Sequence, residues 1–347
     1  MTITLEELQL AARNHGMPLE ALRYPITPIG LHYLLIHFDV PEPPADWRLE
    51  VGGRVRRPLS LTLADLRARP PVRMQVTMEC AGNGRARFDP RPLSQPWLAE
   101  AVGTGEWGGT LLRELLVEAD PEGDAVDVVF TGLDRGIDQG VEHAYERSLP
   151  VADALAGDAL LAYELNGQPL PRQHGFPLRL VAPGWYGMAS VKWLARIEVI
   201  DHAFDGHQQS KKYRFRRDEA DPGVPLDRIR PRALMVPPGI PEFLSRRRIV
   251  DAGEHVLEGR AWSGFAPIAS VEVSVDRGVS WTPAELRPVN GRWAWSGWRF
   301  RWRAEPGEHE LACRARDEAG NEQPLEPTWN VDGYANNAVQ RVPVTVR

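Results

Sequence analysis

The sequence predicts an α+β protein in two successive parts. Short helices and apolar strands are mixed in the first part, residues 24–227. Strictly alternating strands from about residue 248 predict that the second part, residues 228–347, is an all-β sandwich. The length of 347 residues exceeds what one ordinary core supports, and a composition of 43% hydrophobic and 25% charged residues is typical of globular proteins. We therefore expect two domains, preceded by a helical extension over residues 1–23.

The elements of the first part follow from periodicity. Met1 to Leu22 has the pattern of a charged amphipathic helix. The helices expected after it are Leu63–Arg69, Thr110–Glu118 and Val151–Ala156. The buried strands are expected at Ala125–Phe130, Leu160–Leu165 and Leu178–Ala182.

A basic, proline-rich stretch over residues 206–247 predicts an extended linker. Alternation begins at about residue 248, and Asp276-Arg277-Gly278 and Asp317–Asn321 are predicted turns. The alternating apolar positions are Val271, Val273, Val275, Trp293, Trp295, Trp298, Phe300, Trp302, Leu311, Cys313 and Ala315. Cys313 is therefore expected to be a small core residue on a strand.

Charge and cysteine content exclude several functional classes. The formal net charge of -6 gives no indication of nucleic-acid binding. Two cysteines are too few for a disulfide framework, and no apolar stretch approaches the length of a membrane span. The first residues carry neither a secretory pattern nor twin arginines, from which we expect a cytoplasmic protein.

The segment Val76–Arg85 carries the clearest chemical signal. An apolar strand delivers Cys80 to a turn of Ala, Gly, Asn and Gly, where small residues let a bulky ligand approach the backbone. Arg85 lies close enough in sequence to favour a thiolate. Two interpretations stay open on these residues alone: Cys80 is a soft-metal ligand or nucleophile, or it is a buried cysteine before an Asn-Gly turn.

The run Cys80-Ala81-Gly82-Asn83-Gly84-Arg85 resembles the molybdenum-ligand loop of the sulfite oxidase family, and the likeness continues in order along the chain. The further matching segments are Ile26–Pro28, Asp46–Leu49, Gly132–Asp134, Tyr163–Pro171, His174–Arg179, Pro183-Gly184, Ser190–Leu194, Ala261–Gly264 and Trp329-Asn330. The resemblance implies a mixed molybdopterin-binding domain followed by an immunoglobulin-like domain that forms a homodimer.

The resemblance also implies the site. Cys80 would be the metal's thiolate and its single protein ligand. The pterin and its phosphate would be held by Tyr33, His37, Cys80, Asp134, His174, Arg179, Ser190, Val191 and Lys192. Arg85 would hold an anionic substrate oxygen, Tyr213 would hydrogen-bond near the reacting oxygen, and Trp97 would shape the pocket.

Two positions depart from the family. Leu35 and Asp332 stand where sulfite-oxidising members have arginine, which removes two positive charges and adds a carboxylate. Lys211, Lys212, Arg214 and Arg216 are the cations nearby in sequence that could compensate. We expect poor capture of sulfite, because charge-assisted contacts, each worth roughly 1.5–3 kcal/mol, would be missing.

The implied activity is two-electron oxygen-atom transfer from a molybdenum–molybdopterin cofactor, converting sulfite to sulfate. With no room for a haem domain beside the two assigned domains, electrons would pass to a separate redox partner such as a cytochrome. Two alternatives stay open: reduction of a sulfoxide or other oxygenated substrate, and binding of cofactor or partner without turnover. The intact set of site residues, including Tyr213 and Arg85, weighs against the last.

Overall fold

The computed structural model describes residues 3–288 and 290–347. Its helices are α1 (Leu5–Arg13), α2 (Leu63–Arg67), α3 (Leu112–Ala119), α4 (Val151–Ala156) and α5 (His207–Ser210). Short 3-10 turns lie at Leu19–Arg23, Ile29–Leu31, Arg85–Arg87, Arg172–His174 and Gly187–Ala189. None of the helices in these ranges has the length and apolar character needed to cross a membrane.

The strands alternate with these helices in the first part of the chain and then dominate. Those of the first part are β1 (Leu49–Gly53), β2 (Leu59–Leu61), β3 (Val72–Glu79), β4 (Val102–Leu111), β5 (Asp127–Asp138), β6 (Val141–Pro150), β7 (Leu160–Leu165), β8 (Gln168–Pro169), β9 (Arg179–Val181), β10 (Leu194–Ile200), β11 (Arg214–Phe215) and β12 (Val224–Pro225). Those of the second part are β13 (Arg232–Met235), β14 (Ile240–Pro241), β15 (Arg248–Val250), β16 (Gly253–Trp262), β17 (Ile268–Ser274), β18 (Thr282–Pro283), β19 (Glu285–Leu286), β20 (Ser296–Ala304), β21 (Gly307–Asp317) and β22 (Gln340–Val346).

One mixed sheet and one antiparallel sheet build most of the first part. One has the order β2-β1-β10-β5-β6, with β1 parallel to β10; the other has the order β3-β4-β7-β8, with β9 also paired to β7. Helix α3 closes this core with Leu112, Leu115 and Leu116, all fully buried. The predictions for α4 and β7 match residue for residue, whereas α3 begins two residues late because Thr110 and Leu111 complete β4.

The N-terminal helix is shorter than predicted. Helix α1 begins with a capping box between Thr4 and Glu7 and ends at Arg13, so the prediction of one helix to Leu22 was wrong; Met1 and Thr2 lie outside the described residues. Asn14 takes an extended conformation, and His15 then pairs with Leu34 as an isolated bridge. The helix ends there because the chain pairs with a distant segment.

Two sheets form the predicted sandwich, which confirms the α+β fold with an all-β second part. Their orders are β13-β16-β20-β19 and β14-β15-β22-β21-β17-β18, and all the pairings are antiparallel except β15 with β22. Trp298, Trp302, Val271 and Leu311 fill the core between the sheets. Cys313 is fully buried among them, as predicted.

Two expectations for this part need correction. Trp293 and Trp295 precede β20 rather than lie on a strand; their indole N–H groups donate to the Asp158 carboxylate and the Pro25 carbonyl, both at 2.8 Å. The supposed linker contains the buried strand β13. Both errors concern residues that contact the first part of the chain.

A buried ion pair joins the sandwich to the strand that leads into the cysteine loop. The Arg232 guanidinium donates to Glu79 Oε1 at 2.6 Å, and both side chains are 3% exposed. The Trp262 indole donates to Glu79 Oε2 at 2.8 Å. Because Glu79 directly precedes Cys80, the sandwich helps to fix the position of that cysteine.

Candidate active site

The Cys80 loop is held on both sides by backbone hydrogen bonds. Cys80 N donates to Ala101 O at 2.9 Å, and Asn83 N donates to Cys80 O at 2.9 Å. From the second part of the chain, Ala335 N donates to Ala81 O at 2.7 Å. The thiol is thereby presented at a fixed point beside β3.

Gly84 shows why the loop needs small residues. It lies in the left-handed region with a φ of 91°, and a Cβ there would come within 3.0 Å of the Asn336 amide group. That amide donates to Gly84 O at 2.8 Å, so the two parts of the chain meet closely at this turn.

The protonation of Cys80 differs from the expectation based on its neighbour in sequence. The pKa of the thiol is raised because burial outweighs the favourable charge of Arg85 and the hydrogen bond from the Gly82 amide. Arg85 alone therefore does not make Cys80 a free thiolate. A metal ion would supply the missing stabilisation, since coordination deprotonates a thiol outright.

A cavity beside Cys80 collects most of the predicted cofactor-binding residues. Its lining includes Tyr33, His37, Cys80, Asp134, His174, Arg179, Ser190 and Lys192. Val191 is absent from this lining; it is fully buried, and its carbonyl accepts a hydrogen bond from Leu180 N at 2.8 Å. The structure thus brings eight of the nine predicted residues together at one cavity.

Arg179 is the most enclosed cation of this cavity. Its guanidinium donates to His174 O at 3.0 Å and to Ser190 O at 3.1 Å, and it lies 4.8 Å from the centre of the Trp107 ring. Burial lowers its pKa to about 10, and burial also lowers the pKa of His174 to about 2. A buried cation beside a neutral imidazole suits a phosphate together with a polar heterocycle.

Asp134 and Lys192 contribute polar groups to the lining of the first cavity. Asp134 Oδ1 is buried, and none of the residues that the structure describes forms a hydrogen bond with it. Burial raises the pKa of Asp134 to about 7 and lowers the pKa of Lys192 to about 7. A buried carboxyl oxygen without a partner is costly, and a pterin edge with N–H donors would satisfy it.

His32 was missed in the sequence. It is buried, its Nδ1 lies 3.2 Å from Tyr33 O, and its Nε2 has no hydrogen-bond partner in the described part of the chain. Its ring packs edge-on against His174 with the centroids 5.6 Å apart. Burial lowers its pKa to about 4, so His32 is a neutral neighbour of the cofactor cavity. Its place in the Leu31-His32-Tyr33 segment gave no signal of this contact.

A second cavity adjoins the first and contains the predicted substrate residues Arg85, Trp97 and Tyr213. Cys80, Leu35, His37 and Tyr213 line both cavities. The cysteine therefore lies where a cofactor in the first cavity would meet a substrate in the second.

Tyr213 and His37 form the polar junction between the cavities. Tyr213 Oη lies 2.6 Å from His37 Nε2, and the tyrosine backbone is strained, with a φ of 53°. Burial raises the pKa of Tyr213, and burial lowers the pKa of His37 to about 3. The phenol therefore keeps its proton and the imidazole stays neutral, which makes the tyrosine a hydrogen-bond donor at neutral pH.

The charges around the second cavity differ from the sequence expectation. Leu35 does line it, but the Asp332 carboxylate is held by Arg216 at 2.9 Å and is absent from the lining. Among the cations Lys211, Lys212, Arg214 and Arg216, only Lys212 lines the cavity, and it lies 3.3 Å from the Asp138 carboxylate. The added carboxylate is therefore neutralised outside the cavity.

Comparisons with known proteins agree with this geometry. Residues 37–208 match the family model of the oxidoreductase molybdopterin binding domain, and residues 233–347 match that of the Mo-co oxidoreductase dimerisation domain. Mouse mitochondrial sulfite oxidase is 36% identical over 92% of this chain and 62% of its own length. Chicken sulfite oxidase is 37% identical over 91% of this chain and 72% of its own length.

A solved structure extends the likeness to the whole fold. The crystal structure of the sulfane dehydrogenase SoxCD from Paracoccus pantotrophus superposes with a TM-score of 0.82 at 26% identity, covering all of this chain and 88% of that one. The chain spans 62% of the mouse and rat sulfite oxidases. On this evidence the chain belongs to the sulfite oxidase family of molybdopterin-dependent oxidoreductases, and its cofactor is molybdopterin carrying molybdenum.

Proposed function

We propose that this protein catalyses two-electron oxygen-atom transfer at sulfur, oxidising sulfite to sulfate and passing the electrons to a separate acceptor. The observation that carries the proposal is the meeting of the two cavities at Cys80, with Arg85 and Tyr213 on the substrate side. The cofactor, when bound, supplies the oxygen-atom transfer and stores the two electrons.

The residues of the first cavity bind and orient that cofactor in this proposal. Arg179 and Lys192 would neutralise its phosphate, and Asp134 and His174 would hydrogen-bond the pterin edge. Cys80 would be the protein's thiolate ligand. Tyr33, Ser190 and His37 complete the enclosure from the lining, whereas Val191 would act through its backbone position.

On the substrate side, the chain contributes a fixed cation and a proton donor. The Arg85 guanidinium is held by Ser94 Oγ at 3.0 Å and by the Asp332 carbonyl at 2.9 Å, so it does not reorganise to meet an anion. Tyr213 would donate to an oxygen of the substrate, with His37 as its partner, and Trp97 would exclude water.

A second candidate is reduction of a sulfoxide by the same site. The observation that favours it is Leu35 in the second cavity, where an apolar side chain suits a neutral substrate better than sulfite. Assays in both directions separate the two: oxidation of sulfite with ferricyanide, and reduction of dimethyl sulfoxide with reduced methyl viologen. Activity in neither direction from protein loaded with molybdenum would support binding without turnover.

The proposal extends to the partners and the location of the protein. A homodimer is supported by the dimerisation-domain match over residues 233–347, and light scattering at micromolar concentration tests it. A separate redox protein such as a cytochrome is proposed as electron acceptor, and its reduction by the enzyme in the presence of sulfite is the test. The cytoplasmic location stays a prediction, which cell fractionation checks.

A further inference from the structure

The second cavity has an apolar wall that sulfite does not need. Its apolar lining consists of Leu10, Leu35, Ile36, Phe38, Trp97 and Ile137. A small dianion placed against such a wall loses hydration that these side chains cannot replace. The cavity therefore fits an anion that also carries an apolar group.

Helix α1 contributes an apolar side chain and a positive charge to the second cavity. Leu10 and Arg13 both line the cavity, although they precede the family-model match, which begins at residue 37. The Arg13 side chain is exposed and makes no hydrogen bond or ion pair within the residues that the structure describes. Its charge contributes to the lowered pKa of His37, so it acts on the centre of the site.

The end of α1 is fixed at the cavity by buried polar contacts. Asn14 donates to Gln95 Oε1 at 3.1 Å, and Ile36 N donates to Asn14 Oδ1 at 2.7 Å; Gln95 and Ile36 both line the cavity. Arg91 binds the buried Glu7 carboxylate on the same helix. These contacts hold the helix, and with it Leu10 and the exposed Arg13, beside the cavity.

The other cations near this cavity are already engaged. Lys212 lies beside Asp138, and Lys192 donates to the Leu35 carbonyl at 2.6 Å. Among the described residues that line this cavity, Arg13 is thus a cation without an ion-pair partner and can attract an anion, while Arg85 is held in place within the Cys80 loop.

We propose that the preferred substrate is an organic sulfinate, R–SO2⁻, whose apolar group R packs against Leu35 and α1 while Arg13 attracts its charge and Arg85 binds its head. This inference rests on the proposed direction of reaction. The balanced step is RSO2⁻ + H2O → RSO3⁻ + 2 H⁺ + 2 e⁻: one S–O bond forms, the oxygen comes from water overall, and the electrons pass to the one-electron acceptor.

The test compares three substrates with the holoenzyme and ferricyanide: benzenesulfinate, methanesulfinate and sulfite. We expect kcat/KM for benzenesulfinate to exceed both others at least about tenfold, since burying a ring contributes at least about 1.4 kcal/mol. Leu35→Arg should shift the preference toward sulfite, whereas Leu5→Arg, a change at an exposed position of helix α1, should not. Sulfite preferred by the wild type would overturn the inference while leaving the proposed function intact.

A binding measurement gives a readout independent of turnover. By titration calorimetry, benzenesulfonate should bind the holoenzyme more tightly than methanesulfonate. Arg13→Ala should weaken benzenesulfonate binding about threefold and reduce its salt dependence, while Arg113→Ala, an exposed arginine on α3, should leave both unchanged. Equal affinity for the two sulfonates would overturn the inference. Reduction of a sulfoxide without oxidation of any of the three substrates would overturn the inference and the proposed function together.

Discussion

The buried pair Glu79–Arg232 should dominate the coupling between the two parts of the chain. Replacing Arg232 with Met removes the cation but leaves a carboxylate that is 3% exposed, with Trp262 and Asn83 as its remaining donors. Breaking a buried pair in this way costs about 3–5 kcal/mol. At roughly 2–4 °C per kcal/mol for a protein of this size class, the Tm should fall by at least about 6 °C.

The assay is thermal unfolding at a fixed scan rate, with Arg73→Met as the matched control. Arg73 lies on β3, the same strand as Glu79, and forms an ion pair with Glu164. The two side chains of that pair are 55% and 29% exposed, so the control should cost less than about 1 kcal/mol. Adding Glu79→Gln to Arg232→Met should recover part of the loss, because no charge then stays buried. Equal small shifts for Arg232→Met and Arg73→Met would refute the reasoning.

Three further predictions concern the site and one turn. Tyr213→Phe should lower kcat at least about tenfold while the molybdenum content stays unchanged; unchanged kcat would remove its role as proton donor. Arg85→Ala should raise KM for an anionic substrate more than it lowers kcat, as steady-state kinetics would show, and an unchanged KM would remove its role in binding the anion. Hydrogen bonds from Ser280 lower the pKa of Asp276 to about 2, so the carboxylate stabilises the fold above about pH 4 and that contribution is lost as pH falls toward 2. Asp276→Asn should therefore lower the Tm at pH 7 but have a smaller effect at pH 3, and a constant difference would contradict the linkage.

Local patterns predicted those elements whose environment is set by near neighbours. Helix α4 and strand β7 match their predicted bounds, and the turn at Asp276-Arg277-Gly278 occurs as expected between β17 and β18. The sandwich core follows from alternation alone, because residues two apart on a strand face the same side.

The errors occur where distant residues determine the local structure. Helix α1 ends at Arg13 because the Asn14 side chain forms hydrogen bonds with Gln95 and with the Ile36 backbone, which are 81 and 22 residues away. Strand β13 was hidden in a proline-rich stretch because the partner of Arg232 is 153 residues earlier. No periodicity within a short window contains that information.

Sequence reasoning about the candidate site also failed where segments that are distant in sequence meet. The family likeness predicted the set of cofactor residues. It did not predict the ion pair between Asp332 and Arg216, or that Arg13 lines the second cavity. His32 was missed because its contact with His174 joins segments 142 residues apart in number, with no motif linking them. The sequence therefore predicted the residues that line the first cavity better than the charges around the second.

The proposed function depends on Cys80 as the protein ligand of the molybdenum. X-ray absorption at the molybdenum edge of the holoenzyme tests it directly, with Cys80→Ser against Cys313→Ala, the buried cysteine of the sandwich core. We expect about one molybdenum per chain in the wild type and the loss of one sulfur ligand in Cys80→Ser only, because a hydroxyl is a poor ligand for a soft metal site. An unchanged sulfur shell in Cys80→Ser, or wild-type protein without molybdenum from a host that makes the cofactor, would contradict it.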